Sequence, residues 1–333
     1  MTLRNRYFVK GGKAMKEFNE NTRFEWTTGE AIILPEPDKA HPVVSVKDPS
    51  VLYYNGKWYV FYTTCDEKAE WSMQFISFND WKDVNLAIPF FKDDNPNLLG
   101  YRCAPQVFYF RPQKKWYMIF QANQPQYSTN DNIDDPLGWS KPADFFSGVP
   151  KSVVDGSWLD YWVICDDEYA YLFFSGNNGR FYRSLTAIKD FPKGMSEPEV
   201  AISNKERGEL FEGSCTYRIK GQKKFLTIIE AFGPTSWDRY YRSFVSDSLD
   251  GIWKEQAAKW DAPFAGINNV KFDEGVKPWT RDISHGEIIR DGYDETLTID
   301  PENLRMLFQG RDAMSNGRQY HLLPYRIGLL IKK

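Results

Sequence analysis

The sequence is poor in the residues that most often advertise chemistry: it has three histidines and four cysteines in 333 residues. Cys65, Cys103, Cys165 and Cys215 lie 38, 62 and 50 residues apart, and no C-x-x-C or C-x-x-x-C pair occurs. That spacing argues against a zinc site built on cysteine. Each cysteine stands in or beside an apolar run, where it behaves as a small buried hydrophobe, so free buried thiols are expected, with one or two disulfides as the alternative. No apolar run approaches the ~20 residues of a transmembrane helix, and no membrane partner is expected. A net charge of −3 gives no electrostatic footprint for nucleic acid or an anionic surface. There is no N-x-S/T sequon, and the N-terminal MTLRNRYFVKGGKAMKEFNENTR lacks the apolar core of a signal peptide. The expectation is a secreted protein whose leader is not part of this sequence; a cytoplasmic protein is the alternative.

Aromatic residues, by contrast, are abundant: 24 Phe, 19 Tyr and 12 Trp, or 17% of a chain that is 42% hydrophobic and 26% charged. This apolar content excludes a disordered chain, and the length can bury a substantial core. Aromatic faces pack on sugars, but Phe, Tyr and Trp also suit strands, and composition alone favours the second explanation. Long amphipathic helical patterns are scarce. Short alternating runs broken by Gly, Asn, Asp and Pro recur instead, an all-β signature.

Five of these runs share one form: a polar or small head, an apolar strand, a turn, and a second aromatic-rich strand. They are DPSVLYYNGKWYVFYTT from Asp48, APQVFYFRPQKKWYMIFQ from Ala104, DYWVICDDEYAYLFFS from Asp160, EGSCTYRIKGQKKFLTIIEA from Glu212, and HGEIIRD with LRMLFQG from His285. The heads are 56, 56, 52 and 73 residues apart. Periods near 50 residues with several strands each predict a five-bladed β-propeller; a β-sandwich with chance similarity between hairpins is the competing reading. Because the first strand of each blade lines the axis, Asp48, Asp160, Glu212 and His285 are expected to converge around a central opening. Three carboxylates held together are costly unless chemistry uses them. They suit glycoside hydrolysis, which needs a protonated acid and a carboxylate opposite, with the third raising the acid's pKa. Calcium, completed by water, is the rival use of an oxygen-rich cluster.

The stretches KDPSVLYYNGKWYVFYTT, APQVFYF with KWYMIFQ, GSWLDYWVICDD with YLFFSGNNGRFYRS, LFEGSCTYRI, DRYYRSF, SHGEIIRDGYDETLTID and YHLLPYRIGLL together resemble glycoside hydrolase family 62. Those enzymes are α-L-arabinofuranosidases on five-bladed propellers related to family 43. The resemblance runs from Phe24 to Lys333, leaving residues 1–23 as an N-terminal extension, either an ordered strand that latches the propeller or a loose segment, which their polarity favours. It implies an inverting hydrolase that removes arabinofuranose side groups from xylan or arabinoxylan. Exo action by a monomer, with arabinoxylan or its oligosaccharides as partner, is the expectation. Carried onto this sequence, Asp48 is implied as the general base, Asp160 as the residue tuning and orienting the acid, and Glu212 as the general acid. His285 is implied as the ligand of a structural Ca2+ near the axis. Lys47, Gln106 and Arg239 are implied as the polar lining of the arabinose pocket, with Arg242 competing for the place of Arg239. Tyr320 is implied as the contact to the xylose.

The sequence departs from the family pattern at Ala122, where relatives often carry a Trp platform, at His321, often Asn, and at Asp300–Asn303, which lacks a common cysteine. Trp71 is either a sugar-stacking wall or a surface aromatic. Glu230 either reaches the pocket or pairs with a nearby arginine. The segment from Trp253 to Trp279 reads as a long loop over one face. A family 43-like β-xylosidase or arabinanase, and a non-catalytic carbohydrate-binding propeller, are the alternatives to be tested.

Overall fold

The computed structural model describes residues 18–19, 22–153, 158–235 and 237–333. Among these there is no α-helix, only strands and short 3-10 turns, and no helix long and apolar enough to cross a membrane. The strands form five sheets of four or five strands and one small two-stranded sheet. The five large sheets are the blades of a five-bladed β-propeller, as the repeats predict.

The inner strands of blades I to V are Val43–Tyr54, Cys103–Phe110, Leu159–Cys165, Glu212–Ile219 and Ser284–Ile288. Each pairs antiparallel with the aromatic-rich second strand recognised in the sequence. In blade I the hairpin turns at Asn55 (φ 48°) and Gly56 (φ 81°), two left-handed residues whose twist matches the flanking strands. The second strands are buried along most of their length; Tyr59, Val60, Phe61 and Tyr62 are typical. Most of the aromatic surplus thus fills the wedges between blades.

Two features close the molecule. Trp26–Thr28 lies between the C-terminal strand Arg326–Lys332, antiparallel, and Val270–Phe272, parallel, so blade V joins the first described strand to the last. Across the far mouth of the axis, Tyr109, Cys165 and Arg218 of three successive inner strands donate backbone hydrogen bonds to Tyr293, Glu295 and Leu297. Two expectations change here. The segment Trp253 to Trp279 is not a loop over a face: it supplies the outermost strands of blade IV (Lys254–Glu255) and blade V (Val270–Phe272), with a hairpin between them. Residues 1–17 of the predicted extension lie outside the described residues, but Phe18 is buried edge-on to Phe24. All four cysteines are buried and unpaired.

Candidate active site

Every inner strand carries one extra residue opposite its neighbour at the end facing the site, a β-bulge. Such bulges bend a strand and re-aim its side chains. In four blades the bulged residue takes the left-handed conformation: Asp48 (φ 49°), Ala104 (φ 51°), Asp160 (φ 57°) and Gly213 (φ 62°). This corrects the sequence frame by one residue in blade IV: the position equivalent to Asp48 and Asp160 is Gly213, and Glu212 is equivalent to Lys47. The left-handed backbone costs a non-glycine residue about 1–3 kcal/mol, which surrounding packing must offset.

One cavity of about 170 Å³ is lined by Lys47, Asp48, Trp71, Tyr101, Cys103, Gln121, Leu159, Asp160, Glu212, His285 and Tyr320. The bulge frame explains most of this lining. Lys47, Cys103, Leu159 and Glu212 immediately precede the bulged residue of blades I to IV, while Asp48, Asp160 and His285 are the bulged residues themselves. Cys103, Leu159, Tyr101 and Gln121 are absent from the sequence-based site. The preceding-residue position of the repeat would have found the first two; a fixed period carries no signal for the others.

His285 joins the two aspartates: its Nδ1 is 3.1 Å from Asp48 Oδ1 and 3.7 Å from Asp160 Oδ2. Burial works against the imidazolium, but Asp160 and Asp48 outweigh it and push His285 up to about 10. Burial likewise opposes ionisation of Asp48, yet His285 and Lys47 hold its carboxyl well below the usual carboxylate range. Asp160 is raised by burial, with His285 opposing and Asp48 adding repulsion. Its Oδ2 accepts the backbone N–H of Gly213 at 2.7 Å, which ties it to the residue beside Glu212. Burial, then the charges of Asp160 and Glu230, push Glu212 up to about 8 against the pull of Arg239 and Lys47. Two carboxyls of one cavity are therefore driven in opposite directions, the arrangement that assigns an acid and a base.

On the opposite wall, Lys47 Nζ donates to Tyr320 Oη at 2.7 Å and lies over the rings of Tyr320 (4.4 Å) and Trp71 (4.6 Å). Trp71 stacks on Tyr320 with centroids 5.7 Å apart, so it is a wall of the cavity rather than a loose surface aromatic. Two expected lining residues sit elsewhere. Gln106 is 1% exposed, and its amide bonds both the N–H and the C=O of Val163 at 2.7 Å, clamping blade II to blade III. Arg239 stands behind Glu212, 3.4 Å from Glu230 and over the rings of Phe211 and Phe232. Its rival Arg242 turns away to Glu209 and Glu255. Glu230 pairs across the strands with Glu212 and accepts from Ser284 Oγ and His285 N, so it braces the site from beneath.

Among the described residues no three His, Cys, Asp or Glu side chains form a metal cage. Only as the neutral ring, with Nδ1–H turned to Asp48, could His285 offer Nε2 to a cation, and a hard cation there would take its other ligands from water.

Residues 25–331 match glycosyl hydrolase family 62, and the chain belongs to that family. It is 39% identical over 307 residues to alpha-L-arabinofuranosidase C of Cellvibrio japonicus (strain Ueda107), covering 92% of this chain and 46% of that protein. The chain thus spans about half the length of that curated relative. The catalytic domain of a GH62 alpha-L-arabinofuranosidase from Coprinopsis cinerea is 42% identical and superposes with a TM-score of 0.89, over 93% of this chain and 98% of that one. A GH62 hydrolase solved in complex with xylotriose is 38% identical, with a TM-score of 0.87 over 92% and 97%.

Proposed function

We propose that the protein is an exo-acting α-L-arabinofuranosidase that removes arabinofuranosyl side groups from arabinoxylan or arabinoxylo-oligosaccharides by direct attack of water. The observation that carries this reading is the opposite displacement of Glu212 and Asp48 within one small cavity. At neutral pH Glu212 holds a proton to give to the glycosidic oxygen as its bond to the anomeric carbon breaks. Asp48, ionised, takes a proton from the water whose oxygen bonds to that carbon from the other side, so the configuration inverts. Burial keeps Glu212 protonated, helped by like-charge repulsion from Asp160, which is itself fixed by the Gly213 N–H.

A volume of about 170 Å³ lies below the ~300–1,000 Å³ of sites that hold drug-sized ligands, and it suits one terminal furanose better than an internal chain segment. This favours exo action over an arabinanase. The relatives' names supply the arabinofuranosidase half of the reading, and the xylotriose bound by one of them supplies the xylan half. A lectin has no use for a protonated buried glutamate opposite an ionised aspartate, which argues against a non-catalytic propeller.

The expected calcium belongs to this proposal as a water-completed ion on His285, and no step of the hydrolysis is routed through it. Secretion and a monomeric state are likewise proposed; size-exclusion chromatography with light scattering checks the second. The activity is tested by incubating the protein with wheat arabinoxylan, with linear arabinan and with 4-nitrophenyl α-L-arabinofuranoside. Arabinose release from arabinoxylan that disappears in Glu212→Gln and Asp48→Asn supports the assignment. Faster release from linear arabinan, or release undiminished in either variant, contradicts it.

A further inference from the structure

A second cavity, of about 210 Å³, opens between blades IV and V and has no part in the chemistry above. It is lined by Thr235, Trp237, Asp238, Arg281, Asp282, Arg311, Ala313 and Asn316. Chain connectivity places it on the same face as the catalytic cavity. Asp238 adjoins Arg239, Asp282 lies two residues before Ser284, Arg311 two after Gln309, and Asn316 four before Tyr320. A row of stacked groups runs from one cavity to the other. Arg311 lies 5.2 Å from the Trp237 ring and 5.7 Å from that of Tyr325, and Tyr325 faces Lys47 at 5.2 Å.

Three features describe what this cavity would hold. Trp237 is 38% exposed, in a fold that buries most of its indoles, and Arg311 holds one side of its ring. An exposed indole face beside a cavity is a surface for the C–H face of a sugar ring, which meets the negative π-cloud with weakly positive hydrogens. Asp282 is 2% exposed, and among the described residues no hydrogen-bond donor meets its Oδ1, an acceptor that a ligand hydroxyl would satisfy. Asn316 has its carbonyl oxygen taken by Arg311 at 2.6 Å, which leaves its NH2 to donate. The charges of the lining cancel in pairs, Arg281 with Asp238 at 3.4 Å and Arg311 with Asp282 at 3.2 Å. A neutral polyol fits such a lining; a uronate or phosphate would find no uncommitted cation.

We propose that this cavity is a distal subsite for a neutral pyranose of the chain that carries the scissile arabinofuranose, with Trp237 as its platform and Asp282 and Asn316 as its hydrogen-bonding groups. The inference rests on the arabinofuranosidase reading for its substrate. It deepens that reading by making long, polymeric substrates better than short ones. A sugar seated there adds binding energy remote from the bond being cleaved, so its loss weakens capture of polymer more than of a minimal substrate.

The test compares kcat/KM on arabinoxylan with kcat/KM on 4-nitrophenyl α-L-arabinofuranoside, which is too short to reach both cavities. Wild type, Trp237→Ala, Trp237→Tyr and Asn316→Ala are measured. Trp237→Ala is expected to lower the polymer-to-aryl ratio about ten-fold through KM, the scale of an interface aromatic lost. Asn316→Ala should lower it less, and Trp237→Tyr should restore most of it. Titration of the wild type with linear xylohexaose should show binding that Trp237→Ala weakens by a similar factor. A ratio unchanged in Trp237→Ala, or a loss equal on both substrates, overturns the subsite. Failure of the wild type to release arabinose from either substrate would instead overturn the activity itself, whatever xylohexaose binding shows.

Discussion

At the scale of single residues, the proposed chemistry turns on a glutamic acid that is held protonated where an ordinary one is not. Glu212 is pushed up to about 8 by burial and by Asp160 and Glu230, while Asp48 stays ionised across the working range. In the proposed mechanism the proton on Glu212 is required, so kcat/KM is expected to fall above about pH 8, with no acid limb from Asp48 within the stable range of the fold. A pH–rate profile on arabinoxylan checks this; a decline centred near pH 5 would contradict it. The same proton has a stability cost. Between the ordinary glutamate value of 4.5 and about 8, the native state holds a proton that the unfolded chain has released, so this group's contribution falls as pH rises through that window. Glu212→Gln is therefore expected to lower kcat by about 10²–10⁴-fold and yet to raise Tm by a few degrees at pH 7, with the difference shrinking toward pH 4.5. Differential scanning calorimetry at the two pH values checks it.

At the scale of the element, the bulge at the head of each inner strand is the unit that builds the site. Gly213 shows why one blade uses glycine: a Cβ there would sit 3.0 Å from Tyr241 Oη and 3.3 Å from Glu230 Oε2, on a backbone at φ 62°. Gly213→Ala is expected to cost about 1–3 kcal/mol and to disturb the N–H that Asp160 accepts. Ala104 holds the same left-handed conformation and does not line the catalytic cavity, so Ala104→Gly should be neutral or slightly stabilising. Urea denaturation of both variants gives the comparison.

Much of this was legible in the sequence. The heads Asp48, Asp160 and His285 were visible because each blade repeats a polar residue before an apolar strand. Glu212 was misplaced by one because a glycine supplies the left-handed backbone in blade IV and leaves the acid one step earlier. Gln106, implied as pocket lining by the family resemblance, follows its head by two residues. At that register, Ser50, Gln106, Trp162, Cys215 and Glu287 each bond the backbone of the next blade instead. The number of residues in a bulge is set by tertiary hydrogen bonding, which a one-dimensional pattern does not record.

At the scale of the molecule, the propeller converts five weakly conspicuous hairpins into one site by closing a ring. Closure depends on Trp26–Thr28, held between the C-terminal strand and Val270–Phe272, and Trp26 is fully buried with its Nε1 donating to Phe264 O at 2.6 Å. Trp26→Ala is expected to lose about 3–5 kcal/mol, read as a lower urea midpoint at unchanged slope. A steeply reduced slope would mean that blade V opens separately from the rest.

The most direct test of the account is a proton NMR time course of the wild type acting on wheat arabinoxylan, read before mutarotation erases the first-formed anomer. L-Arabinose is expected to appear first with the anomeric configuration opposite to that of the bond cleaved, and no arabinose signal is expected with Glu212→Gln. Arabinose first released with the original configuration, or released unabated by Glu212→Gln, would contradict it.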